Sequence, residues 1–215
     1  TIGTRILVRF FGGLDFSEDL CSQDFVTVGY LDGVPMGGDL PPMPQGTSGP
    51  RFISAAWMDD FIGTPLEQIQ IIKGWVDAEG NTHEEVLRLA GNRGNPNNPQ
   101  NGVNSSCELK GERKGSSSLC AVWEDNDFDP SEPSFYYVRV LERPVCRYST
   151  LYCMENFGLN PLKPGQCQDA LAELVANDPA MAANAMPCCN NETSNAIVQP
   201  AIQERAWTSP IWSEP

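Results

Sequence analysis

Residues 69–87 read IQIIKGWVDAEGNTHEEVL. Two apolar runs flank Asp77-Ala78-Glu79-Gly80-Asn81, a polar turn that contains a glycine. A strand, a tight turn and a returning strand account for that pattern. The segment also holds His83, the sole histidine of the chain. The best-formed local structure is therefore β. The side chain most used for acid–base chemistry and metal ligation occurs once, which argues against a self-contained histidine-based site.

Other strand patterns surround this hairpin. Arg5–Phe11 (RILVRFF) is rich in β-branched and aromatic residues, and Gly12-Gly13 closes it. RFISAAW at 51–57, Leu119–Trp123 and SFYYVRVL at 134–141 continue the series, the last with Tyr136, Val138 and Val140 on one face. The prolines of DGVPMGGDLPPMPQ at 32–45 exclude a central strand or a helix there. Phe25–Tyr30 is apolar but of no clear type. Leu171, Leu174 and Val175 fall at helical spacing within 168–177, and Pro179 follows. With 19 glycines and 18 prolines in 215 residues, short strands and many turns predominate.

The expected fold is mainly β: an antiparallel β-sandwich with long loops, one short helix near 168–177 and a disulfide-stabilised C-terminal extension. Its sandwich core spans 1–143, interrupted at 91–118 by a polar, Asn/Gly/Ser-rich insertion. The cysteine-rich extension is 144–215, and IQERAWTSPIW at 202–212 returns to the core as a final strand or strap.

The eight cysteines are Cys21, Cys107, Cys120, Cys146, Cys153, Cys167, Cys188 and Cys189. None forms a CxxC pair, which removes zinc ribbons and thioredoxin-type motifs. An even number in a loop-rich region points to disulfides made in an oxidising, extracellular or periplasmic setting. Eight cysteines allow 105 pairings and the sequence leaves them open. The spacing suggests that Cys107 and Cys120 clip the insertion, and that the adjacent Cys188 and Cys189 take different partners. The sequence starts at Thr1 with no basic, apolar leader, as a mature or trimmed product would.

The formal charge of −14 disfavours nucleic acid and anionic membranes. No apolar run approaches the roughly 20 residues of a membrane helix. Asp125, Asp127 and Asp129 offer alternating oxygen ligands suited to Ca2+, without the glycine and distal glutamate of an EF-hand. Asp59-Asp60 and Glu84-Glu85 are adjacent carboxylates, but neighbours on a strand point to opposite faces. His83 has no nucleophile beside it, so a strand-edge position is expected. Two glycosylation sequons occur, at Asn104 and Asn191. Trp57, Trp75, Trp123, Trp207 and Trp212 could form a sugar platform, although their strand patterns favour core packing.

Six phrases occur in a fixed order: GTRI with VRFFGG at 3–13; GVPMGGDLPP at 33–42; IQIIKGW at 69–75; Trp123 with DFDP at 127–130; FYYVRVLE at 135–142; and QERAWTSPIW at 203–212. Together they resemble the C-terminal part of a large bacterial family of unknown function, whose N-terminal part looks like a PHP-type (polymerase and histidinol phosphatase-like) metallohydrolase. The resemblance implies a secreted β-rich module, non-catalytic by itself, partnered by a PHP-like hydrolase domain or another subunit. That family's metal ligands precede the segment matched here, so no catalytic residue carries over. The insertion and the cysteines between Cys146 and Cys189 depart from its pattern. Two alternatives remain open: a structural or glycan-binding subunit of an extracellular assembly, self-associating or not, and a carboxylate- or metal-dependent hydrolase.

Overall fold

The structure, a computed structural model, describes residues 3–43, 48–92, 102–110, 115–189 and 199–215. Two compact units account for the chain. The first comprises Thr1–Gly94, Lys114–Glu142 and Glu204–Pro215; the second comprises Asn95–Arg113 and Arg143–Gln203.

The first unit is an antiparallel β-sandwich. One sheet orders its strands β2 (Val34–Pro35), β1 (Leu7–Gly13), β3 (Arg51–Trp57) and β6 (Ser118–Glu124). The other orders β10 (Arg205–Trp207), β7 (Ser134–Glu142), β4 (Leu66–Val76) and β5 (Thr82–Gly91), with β11 (Ile211–Ser213) also on β7. Strand periodicity carries the packing. Phe10, Phe52 and Ala56 of the first sheet join Ile69, Ile71, Tyr136, Val138 and Val140 of the second in one buried cluster. Phe52 lies 4.4 Å, ring centre to ring centre, from Tyr136. The opposite face of the first sheet is covered by helix α1 (Phe25–Leu31) and the turn before it. Asp24 caps α1 by accepting the Thr27 N–H at 3.3 Å. The apolar 25–30 segment is thus a helix, with Gly29 closest to the Phe11 ring. The Cys21–Cys120 disulfide ties this cover to β6.

The hairpin at 69–87 forms as expected. β4 and β5 pair from Val76↔Thr82 down to Gln68↔Gly91, with a bulge between Ile69 and Gln70. Gly80 takes φ +83, a left-handed conformation that glycine adopts freely. The Asp77 carboxylate accepts the Asn81 N–H at 2.7 Å and closes the turn.

The second unit is largely helical: α2 (Tyr148–Phe157), α3 (Pro164–Asn177) and α4 (Pro179–Ala185), with the two-residue strands β8 (Val145–Cys146) and β9 (Ala201–Ile202). The single short helix anticipated near 168–177 is the C-terminal part of α3; among the described residues α2 and α4 accompany it in this unit and α1 stands in the first. The 202–212 strap is divided: Ile202 belongs to β9, whereas β10 and β11 edge the sandwich. All eight cysteines are paired. Cys107 does not bond Cys120. It bonds Cys146, because residues 102–110 belong to the second unit while Cys120 sits on β6. Cys188 and Cys189 take separate partners, Cys153 and Cys167. Among the described residues no helix is long and apolar enough to cross a membrane.

Candidate functional site

The turn end of the five-stranded sheet carries the most developed arrangement of polar and aromatic side chains in the sandwich. Alternation along β4 sends Ile69, Ile71, Lys73 and Trp75 to the inner face. Lys73 therefore enters the sandwich as a charge, and the structure compensates it. Its Nζ stands 2.6 Å from Asp125 Oδ2 and donates to the Asp127 carbonyl at 3.1 Å. Asp125 also accepts the Tyr136 hydroxyl at 2.7 Å. Both ends of the ion pair are over 90 % buried at their side chains. Burial, and then the bond to Asp125, push the Tyr136 phenol well above its ordinary range.

Lys73 Nζ also lies 5.1 Å from the centre of the Trp75 ring, a cation–π distance. Trp75 in turn stacks on its cross-strand partner His83, with ring centres 5.0 Å apart and planes 18° apart. His83 Nε2 is 2.7 Å from Asp77 Oδ2. The hydrogen bond from His83, helped by Asn81, lowers the Asp77 carboxyl to about 2. The histidine stands on the edge strand β5, with Trp75 stacked on its ring and Asp77 at its Nε2.

The acidic loop is likewise committed to structure. Asp125 is paired with Lys73 and Tyr136, and accepts the Asp127 N–H at 3.2 Å. Asp129 binds the backbone and hydroxyl of Ser131 at 2.8 and 2.6 Å, which lowers its carboxyl below the usual range. Among the described residues, no three histidine, cysteine, aspartate or glutamate side chains come together to hold a metal ion. Of the other carboxylate pairs, Asp59 is buried and accepts the N–H groups of Arg5 and Phe61 at 3.0 and 2.9 Å, while Asp60 is exposed. Glu84 and Glu85 diverge on alternate faces of β5. Asn104 is bonded within its own loop through the N–H groups of Ser106 and Glu108. The second sequon, at Asn191, lies outside the described residues.

The outer face of the same sheet holds a groove of about 580 Å³. The register places Gly74, Phe135 and Trp212 side by side across β4, β7 and β11. Gly74 is required there: a Cβ would come within 2.4 Å of the Phe135 ring, which lies over the bare strand. The Trp212 ring stands 5.3 Å from Phe135 at an angle of 50°. Glu84 and Glu214 contribute the carboxylates of the lining. Trp212 is held by its backbone, which donates to the Gly38 carbonyl at 3.1 Å and accepts from the Leu40 N–H at 2.7 Å.

Core packing is thus the wrong expectation for two tryptophans. Trp212 is 44 % and Trp207 58 % exposed, because the short edge strands β10 and β11 turn them outward. Sequence reasoning also passed over Phe135 and Gly74. The available signal was a glycine inside a strand pattern, which marks a close approach.

No curated protein and no solved structure matches the chain. One family, described as a protein of unknown function, DUF3604, matches residues 1–170. That match runs through the whole described sandwich except its last two strands, and into α3. The chain belongs to the DUF3604 family.

Proposed function

We propose that this chain is a secreted, extracellular or periplasmic β-sandwich module, non-catalytic by itself, that works beside a PHP-like metallohydrolase domain. The carrying observation is where the six ordered phrases fall. They supply β1, β2, β4, β7, β10 and β11, together with the loop that places Asp127 against Lys73. The motif residues of the family therefore build and brace a scaffold. Asp125, the carboxylate nearest to a buried cation, is held in an ion pair that a general base would have to break. Four disulfides fit maturation in an oxidising compartment.

Assay of the purified chain against phosphate and sulfate monoesters, with added Mn2+ or Zn2+, tests this reading. The expected result is no turnover above the metal blank. Turnover that Asp125→Asn abolishes would overturn it and restore the carboxylate-dependent hydrolase. Co-purification with a separately produced PHP-like domain tests the partnership.

A further inference from the structure

The outer-face groove has chemistry that the scaffold does not use. A glycine floor and two aromatic rings form a preset apolar wall, and the Trp212 backbone is fixed on both edges. Such a wall accepts an apolar or cationic group without first having to order itself. The charged residues decide between these. Among the described residues, neither lysine nor arginine lines the groove, while Glu84 and Glu214 both do. His83 adds no uncompensated positive charge, because Asp77 is bound to it. Arg139 shares this face but lies four residues along β7 from Phe135, about 13 Å at strand rise, with its Nε donated to Gln70. The chain as a whole carries −14, which adds a field favouring cations.

We propose that this groove binds a small quaternary-ammonium solute between the Trp212–Phe135 wall and the carboxylates of Glu84 and Glu214. The methyl groups of such a cation make it apolar in shape, and its spread charge suits an aromatic face. A phosphate-bearing headgroup fits less well, since its anion would meet the two glutamates. The site is independent of the partner domain and requires no chemistry from it.

Titration of the full chain with choline, followed by calorimetry and tryptophan fluorescence, tests the proposal. Saturable binding that weakens with added salt is expected. The neutral isostere, with a tert-butyl group in place of trimethylammonium, should bind at least about tenfold more weakly, and glycerophosphocholine should also bind more weakly. Trp212→Ala should reduce affinity by about tenfold, and Trp212→Phe should restore most of it. Glu84→Gln combined with Glu214→Gln should weaken choline but not its neutral isostere; these exposed changes leave the strand pairing intact, as thermal melting would verify. Equal binding of the isostere, no binding of choline, or selective binding of a neutral oligosaccharide such as cellohexaose would each overturn the proposal.

Discussion

The two units reach stability by different means. The sandwich has a continuous buried cluster of eleven residues, with Phe10, Phe52 and Tyr136 among them, and one disulfide. Among the described residues, the larger buried cluster of the helical unit has six members, four of which are the half-cystines Cys153, Cys167, Cys188 and Cys189. Its helices α3 and α4 carry three and four alanines, each of which buries little apolar area. Covalent closure takes the place that side-chain burial holds in the sandwich. A sheet aligns many side chains on one face, whereas short helices of small residues offer a thin stripe each.

Removing the bonds is the strongest way to break this contrast. Loop-entropy reasoning assigns about 3–4 kcal/mol to each of Cys153–Cys188 and Cys167–Cys189, and about 4–5 kcal/mol to Cys21–Cys120. Hydrogen exchange read segment by segment should show α2–α4 losing protection when the first two bonds are replaced by serine pairs. The sandwich strands should stay protected when Cys21 and Cys120 are replaced, despite the larger entropic contribution, because aromatic packing remains. Equal collapse of both units would refute the contrast.

Within the sandwich, Lys73→Ala leaves Asp125 buried without its cation. A loss of about 3–5 kcal/mol is expected in denaturant unfolding. Lys73→Met together with Asp125→Asn should recover much of it. Gly74→Ala is expected to cost about 1–3 kcal/mol, since the new methyl must displace the Phe135 ring. It would also close the groove floor, so choline binding and stability should fall together.

The same contrast explains what could be read in advance. Strands announce themselves locally, and Arg51–Trp57 and Ser134–Glu142 emerge almost at their predicted ends. The helix α1 carried a local signal too, Asp24 three residues before Thr27, but its seven residues are too few for periodicity to outweigh an apolar composition. Disulfide pairing joins residues 22 to 99 apart in sequence, which no local pattern encodes. Lys73 reads in the sequence as an ordinary strand charge. Only the fold brings it to Asp125, 52 residues on, and turns the acidic loop into a counter-ion. The outward turn of Trp207 and Trp212 has the same origin, in a pairing with β7 that begins about 70 residues earlier in the chain.

The smallest predicted effect concerns the hairpin that the sequence displays most clearly. Asp77 titrates at about 2 in the folded chain, well below its usual 3.8. The folded state therefore binds this proton less readily than the unfolded state does. Its contribution to stability is complete above pH 3.8 and is lost as pH falls towards 2. Glu142 acts with the opposite sign. Burial raises its carboxyl above the ordinary 4.5, so its contribution is most favourable at low pH and declines as pH rises through the raised value. Asp77→Asn should thus flatten the acid limb of the stability curve between pH 4 and 2, and Glu142→Gln should steepen the net loss on acidification. Urea unfolding at stepped pH separates the two. An acid limb unchanged by Asp77→Asn would mean that the His83 contact is not formed in solution, and that the Trp75 stack alone orients the histidine.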